Sequence, residues 1–129
     1  MNGSGLSSTN HLSARQIVQV LLHGHADSRI SKDFIASLSI AGIDGTLRGR
    51  MRGHPAQGHF FGKTGTLSGV ATLSGFVTTD QGDTLVFAIL TNGFRERRKA
   101  SIRSAQHDMV NAMYRYLSTR EVPLPIAKF

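Results

Sequence analysis

Two short turn signals constrain this chain more than any other feature. Ser68-Gly69 and Asp80-Gln81-Gly82-Asp83 separate three strand candidates at about 59–67, 70–79 and 84–91. Connections this short can join only antiparallel neighbours, so the three strands must form a meander. The third is apolar on both faces for much of its length, which predicts a strand that is central or covered by helices. Asn92-Gly93 closes it.

Helical signals flank the meander. Ser13 reads as an N-cap, with Gln16 as its capping-box partner. Ile17, Val20 and Leu21 follow at helical spacing, and Gly24 is a stop signal. Ser31 reads as the N-cap of a second, shorter helix carrying Phe34, Ile35 and Leu38. Residues 41–58 are punctuated by glycine and arginine and predict irregular structure with one helical turn. Ile102, Ala105, Met109, Ala112 or Met113, and Tyr116 mark one face of a last helix, about 101–117, with the two methionines read as core. The tail, with Pro123 and Pro125, is expected to be irregular. The 129 residues suit one α+β unit: a helical and irregular part at 1–58, the meander at 59–92 and the helix.

Composition removes several chemistries. No cysteine means no disulfide, no thiolate nucleophile and no Cys-ligated zinc. The six histidines show no ligand spacing beyond His23-x-His25, so neither metal nor cofactor is expected. No apolar run approaches the roughly 20 residues of a membrane span. The chain as written carries no signal peptide, which predicts a cytoplasmic product if Met1 is the start. Fifteen Lys and Arg against eight Asp and Glu leave a net charge of +7. The charge clusters at Arg48, Arg50 and Arg52, and at Arg95, Arg97, Arg98, Lys99 and Arg103. Such clusters can bind phosphates. Aromatics are only 7% of the chain, and Phe94 alone lies among the arginines, so a solvated basic surface is favoured over a nucleic-acid partner.

The segment Gly62-Lys63-Thr64-Gly65-Thr66 carries the chemistry. A phosphate-binding loop needs Gly, four residues, then Gly-Lys-Ser/Thr between a strand and a helix. Gly58 is one residue too close to Gly62, and this motif runs from strand to strand. A Lys-Thr-Gly strand makes different sense. Its ammonium is a fixed positive charge, its threonine hydroxyls can bond a carboxylate, and its glycine leaves the backbone approachable. A following N–H can meet a developing oxyanion.

The surrounding blocks are Asn2-Gly3-Ser4-Gly5-Leu6-Ser7 with Asn10, Ala41 to Leu47 with Arg50, Lys63 to Val70, and Leu73-Ser74-Gly75-Phe76. In order and spacing they resemble the D-alanyl-D-alanine carboxypeptidases of the penicillin-binding protein 4 type, peptidase family S13, over the last third of that family's chains. The resemblance implies the C-terminal part of the penicillin-binding/β-lactamase-like transpeptidase fold. It implies hydrolysis of peptidoglycan stem peptides through an acyl-serine, outside the cytoplasmic membrane, with penicillins acylating the same serine. Carried onto this sequence, Lys63 supplies the electropositive wall. Thr64 and Thr66 contact the substrate carboxylate, Gly65 keeps the strand edge open, and the Thr66 N–H is an oxyanion donor. The expected ligands are a peptidoglycan stem peptide or a β-lactam.

The family's Ser-x-x-Lys nucleophile motif has no match, since no serine here is followed three residues later by lysine. Ser8-Thr9-Asn10 spells Ser-x-Asn, but the family's copy precedes the Gly-Ser-Gly-Leu-Ser block, and here it overlaps the block's end. Ser4 and Ser7 have no Lys or His nearby in sequence, and Asp44 reads as a turn residue. The expectation is a fragment or truncated relative, inactive alone. The alternatives are a non-catalytic module that binds peptidoglycan or a protein, and a basic nucleic-acid-binding domain. The family's sheet has five antiparallel strands, of which this chain should supply three. The edge beyond the third strand would then lack neighbours, favouring a homodimer or edge-to-edge association.

Overall fold

Ser13 and Gln16 form a reciprocal capping box. The Ser13 Oγ accepts from the Gln16 N–H at 3.2 Å, and the Gln16 Oε1 accepts from the Ser13 N–H at 2.8 Å. In the computed structural model, which describes residues 3–120, helix α1 (Ala14–Ala26) starts from this cap. It does not stop at Gly24. A Cβ there would fall 2.5 Å from the Phe34 ring, so this glycine lets the next helix, α2 (Ser31–Ala36), pack close. Ser31 is the first residue of α2 rather than its cap; Ile30 holds the cap position without a side-chain hydrogen bond. The buried positions of α1 are Leu21 and Gly24, while Val20 points to solvent.

The meander appears as β2 (Phe60–Leu67), β3 (Val70–Thr78) and β4 (Thr84–Asn92), antiparallel throughout. A fourth strand, β1 (Ser39–Ile40), corrects the expected count of three. It has two residues, too few for an alternation to register in sequence, and pairs with Phe61 and Gly62 of β2. The sheet order is β1-β2-β3-β4. Among the described residues, the outer edge of β4 has no neighbour.

Helices cover both faces. Phe76 of β3 meets the rings of His25 and Phe34, which places α1 and α2 on one face. Leu73 and Val77 point to the other face, where they join Phe60, Phe87, Val110 and Leu117 in the core with helix α3 (Lys99–Ser118). The stripe expected on α3 is rotated. Its buried residues are Gln106, Val110, Asn111 and Leu117, whereas Met109 and Tyr116 are about half exposed, and Met113 packs at the margin of the core. The helix seats polar as well as apolar groups, so hydrophobicity alone mislocated its inner face. The expected irregular tail, with Pro123 and Pro125, lies outside the described residues.

Residues 41–58 are irregular with a 3-10 turn at Gly45–Leu47, as expected, and are bound tightly to the rest. The Asp44 carboxylate accepts from the Ile40 N–H at 2.6 Å, closing the turn that follows β1. Leu47, Met51 and Ala56 enter the core. The buried Asn111 accepts from the Ala56 N–H at 3.1 Å and lies 3.2 Å from the His54 Nδ1. Arg50 donates from Nε to the His107 Nε2 at 2.8 Å and from Nη2 to the Gln106 Oε1 at 2.9 Å. His59 stacks on Tyr114 with ring centroids 4.5 Å apart. This polar seam fixes the loop on α3.

Candidate functional site

The short reach of β1 creates the site. It covers Phe61 and Gly62 of β2 and leaves the strand open from Lys63 onward. Along an antiparallel strand, alternate residues direct their backbone groups to the same side. The Phe60 carbonyl accepts from the Ala41 N–H on the β1 side, whereas the His59 carbonyl accepts from the Thr78 N–H on the β3 side. Thr64 and Thr66 follow Phe60 in this alternation, so their N–H and C=O groups face the open edge.

A groove of about 850 Å³ runs along that edge. Residues 63–67 form one wall, and the N-terminal segment, including Ser4, Leu6, Ser7 and Asn10, forms another. Thr46 and Arg50 of the irregular segment and Arg103 of α3 complete it. Among the described residues no acidic side chain lines it. All four residues singled out from sequence, Lys63, Thr64, Gly65 and Thr66, lie together here.

Each is held differently. Lys63 is exposed, and its Nζ donates to the Thr64 carbonyl at the strand edge. Thr64 donates its hydroxyl to the Thr46 Oγ1 at 2.9 Å. Thr66 accepts from the Arg103 Nη2 at 3.4 Å. Gly65 also has a packing reason, because a Cβ there would sit 2.3 Å from the Thr72 Oγ1 across the sheet. Lys63 and Gly65 belong to the α1 face of the strand, and Thr64 and Thr66 to the α3 face.

Three groove residues, Thr46, Arg50 and Arg103, carry no assigned role in the sequence reading. Thr46 and Arg50 belong to the blocks that bear the family resemblance, and Arg50 and Arg103 to the basic clusters. Arg50 is half-buried; its pKa is lowered by burial and then by the nearby Arg103. His107 is held below its ordinary value of 6.5, first by burial and then by Arg50. That favours the neutral imidazole, whose Nε2 accepts the Arg50 bond. Ser4 and Ser7 contribute to the local turns of their loop, accepting from the N–H groups of Leu6 and Thr9 at 3.3 and 3.2 Å. Among the described residues no cluster of His, Asp or Glu could hold a metal, and no helix is long and apolar enough to cross a membrane.

Residues 1–114 match the model of the D-Ala-D-Ala carboxypeptidase 3 (S13) family. The chain belongs to this family. A D-alanyl-D-alanine carboxypeptidase of an Actinomadura species is 44% identical over 98 residues, which are 71% of this chain and 18% of that protein. The D-alanyl-D-alanine carboxypeptidase DacB of Haemophilus influenzae is 29% identical over 89% of this chain and 26% of its own length. The crystal structure of the H. influenzae penicillin binding protein 4, complexed with a β-lactam, superposes with a TM-score of 0.75 at 30% identity, covering 88% of this chain and 28% of that one. A Bdellovibrio bacteriovorus endopeptidase shares the fold at a TM-score of 0.66. This S13 chain therefore spans about a quarter or less of the curated relatives it matches, less than the third that its motifs implied.

Proposed function

We propose that this S13 chain supplies the substrate-binding strand of a serine-type D-Ala-D-Ala carboxypeptidase site, acting on peptidoglycan stem peptides outside the cytoplasmic membrane. The observation that carries the reading is the open edge of β2, where Lys63, Thr64 and Thr66 face a groove without a single acid among the described residues. A substrate carboxylate meets positive charge from Lys63 and hydroxyls from Thr64 and Thr66. The Thr66 N–H, directed to the same edge, receives the oxyanion that forms on the scissile carbonyl.

The covalent step needs a serine hydroxyl. It adds to the D-Ala–D-Ala carbonyl and loses its proton to a base. The C–N bond then breaks, the terminal D-Ala leaves as the protonated amine, and water hydrolyses the resulting ester. The 129 residues hold no Ser-x-x-Lys motif, so the nucleophile and its lysine come from outside them. A β-lactam would occupy the same groove.

Two measurements test this. Incubation with fluorescent penicillin should leave the isolated chain unlabelled; a stable adduct on it overturns the placement of the nucleophile. Titration with N-acetyl-D-Ala-D-Ala should shift the backbone amides of Lys63 to Thr66, and silence there overturns the groove assignment. The missing motif also favours a second reading, a non-catalytic module that binds peptidoglycan. Coding sequence upstream of Met1 that reads into Ser-x-x-Lys would exclude it.

A further inference from the structure

Arg103 stands apart from the rest of the basic surface. It projects from the first turns of α3 into the groove, and its Nη2 donates to the Thr66 Oγ1 at 3.4 Å. Among the described residues it has no ion-pair partner. Beside it Arg50 is tied down by two neutral acceptors, the His107 Nε2 and the Gln106 Oε1. Two neighbouring guanidinium groups with no carboxylate between them repel each other, and an anionic ligand would relieve that repulsion.

The placement across the strand adds to this. Lys63 reaches the open edge from the α1 face, and Arg103 reaches Thr66 from the α3 face. The edge is thus flanked by a cation on each side. A hydroxyl that accepts from Arg103 keeps its own hydrogen to donate, and that hydrogen can turn to a ligand oxygen.

We infer that Arg103 is a specificity-determining residue: it holds the Thr66 hydroxyl as a donor and supplies the second positive charge that selects ligands ending in a free carboxylate. This rests on the proposed reading of the groove. It adds that α3, and not the Lys-Thr-Gly strand alone, decides between a carboxylate and a neutral end. A guanidinium suits this role because its flat fork can bond the hydroxyl and a carboxylate oxygen together, which an ammonium on a flexible stem does less well.

The test compares N-acetyl-D-Ala-D-Ala with its C-terminal amide, titrated into the ¹⁵N-labelled chain and read at the Thr64 and Thr66 amides. The wild-type chain should prefer the free acid. Arg103→Gln should weaken the acid by about tenfold and leave the amide unchanged, as expected for loss of one charge-assisted contact. Arg103→Lys should fall between, and it separates loss of the contact from loss of the fold. Arg97→Gln, an exposed charge outside the groove, should change neither. An unchanged Arg103→Gln together with a weakened Lys63→Gln overturns this inference and leaves the groove reading standing. Equal weakening by Arg97→Gln and Arg103→Gln also overturns it, as a general charge effect. A wild-type chain that binds acid and amide equally overturns both.

Discussion

Asn111 offers the sharpest test of how the groove is built. Its side chain is 3% exposed, and it accepts from the N–H of Ala56, a residue with no exposure at all. Asn111→Leu keeps the branched side-chain shape, at a somewhat larger volume, and removes the acceptor. The Ala56 N–H is then buried without a partner, which costs about 1–3 kcal/mol. The second contact, to the exposed His54, adds little because water can replace it. Extra apolar burial by leucine offsets part of the loss, so we expect about 2 kcal/mol of destabilisation in urea unfolding with an unchanged slope. Asn111→Ala also opens a cavity and should cost about 2–4 kcal/mol. Because Asn111 anchors the segment that carries Thr46, the amide resonances of Thr46 and Thr64 should shift in both variants. An Asn111→Leu chain within about 0.5 kcal/mol of wild type would refute the claim that this bond holds the loop on α3.

Two further expectations follow from the same geometry. Gly75 sits at φ +153°, and a Cβ there would lie 2.0 Å from the Phe61 carbonyl oxygen in the paired strand. Neither backbone can yield without breaking the ladder, so Gly75→Ala should destabilise by more than about 3 kcal/mol, and a mild effect in thermal unfolding would show that the strands can separate locally. His107 has a folded-state pKa below its ordinary 6.5, so the unfolded chain binds more protons as pH falls. Its contribution is fully present above about pH 6.5 and is lost as pH falls from there through the depressed value. Unfolding midpoints across this window should decline less steeply for His107→Gln than for wild type; parallel slopes would remove His107 from the account.

Much of this protein can be read from local chemistry. The meander was legible because its turns are short and their residues distinctive: Ser68-Gly69 and residues 80–83 leave no other way to connect the strands. The α1 cap was legible because Ser13 and Gln16 act within one turn. Lys63 to Thr66 were legible because the motif is contiguous on one strand. Other features depend on partners far along the chain. Gly24 looked like a stop and is a contact point for Phe34. The two residues of β1 carry no period, and their pairing with Phe61 and Gly62 exists only once the loop at 41–58 has closed.

The charges divide in the same way. Sequence by itself determined the antiparallel order, the capping of α1, the basic balance and the strand that carries the motif, since each rests on residues a few positions apart. Tertiary structure decided where β2 stays open, which side of α3 turns inward, and which arginines leave the surface. Arg50 meets Gln106 and His107 more than fifty positions away, and Arg103 meets Thr66 across thirty-seven. Contacts at such separation leave no local pattern. They form only when the loop and α3 dock on the same face of the sheet, and that docking turns a common three-letter motif into a cationic groove.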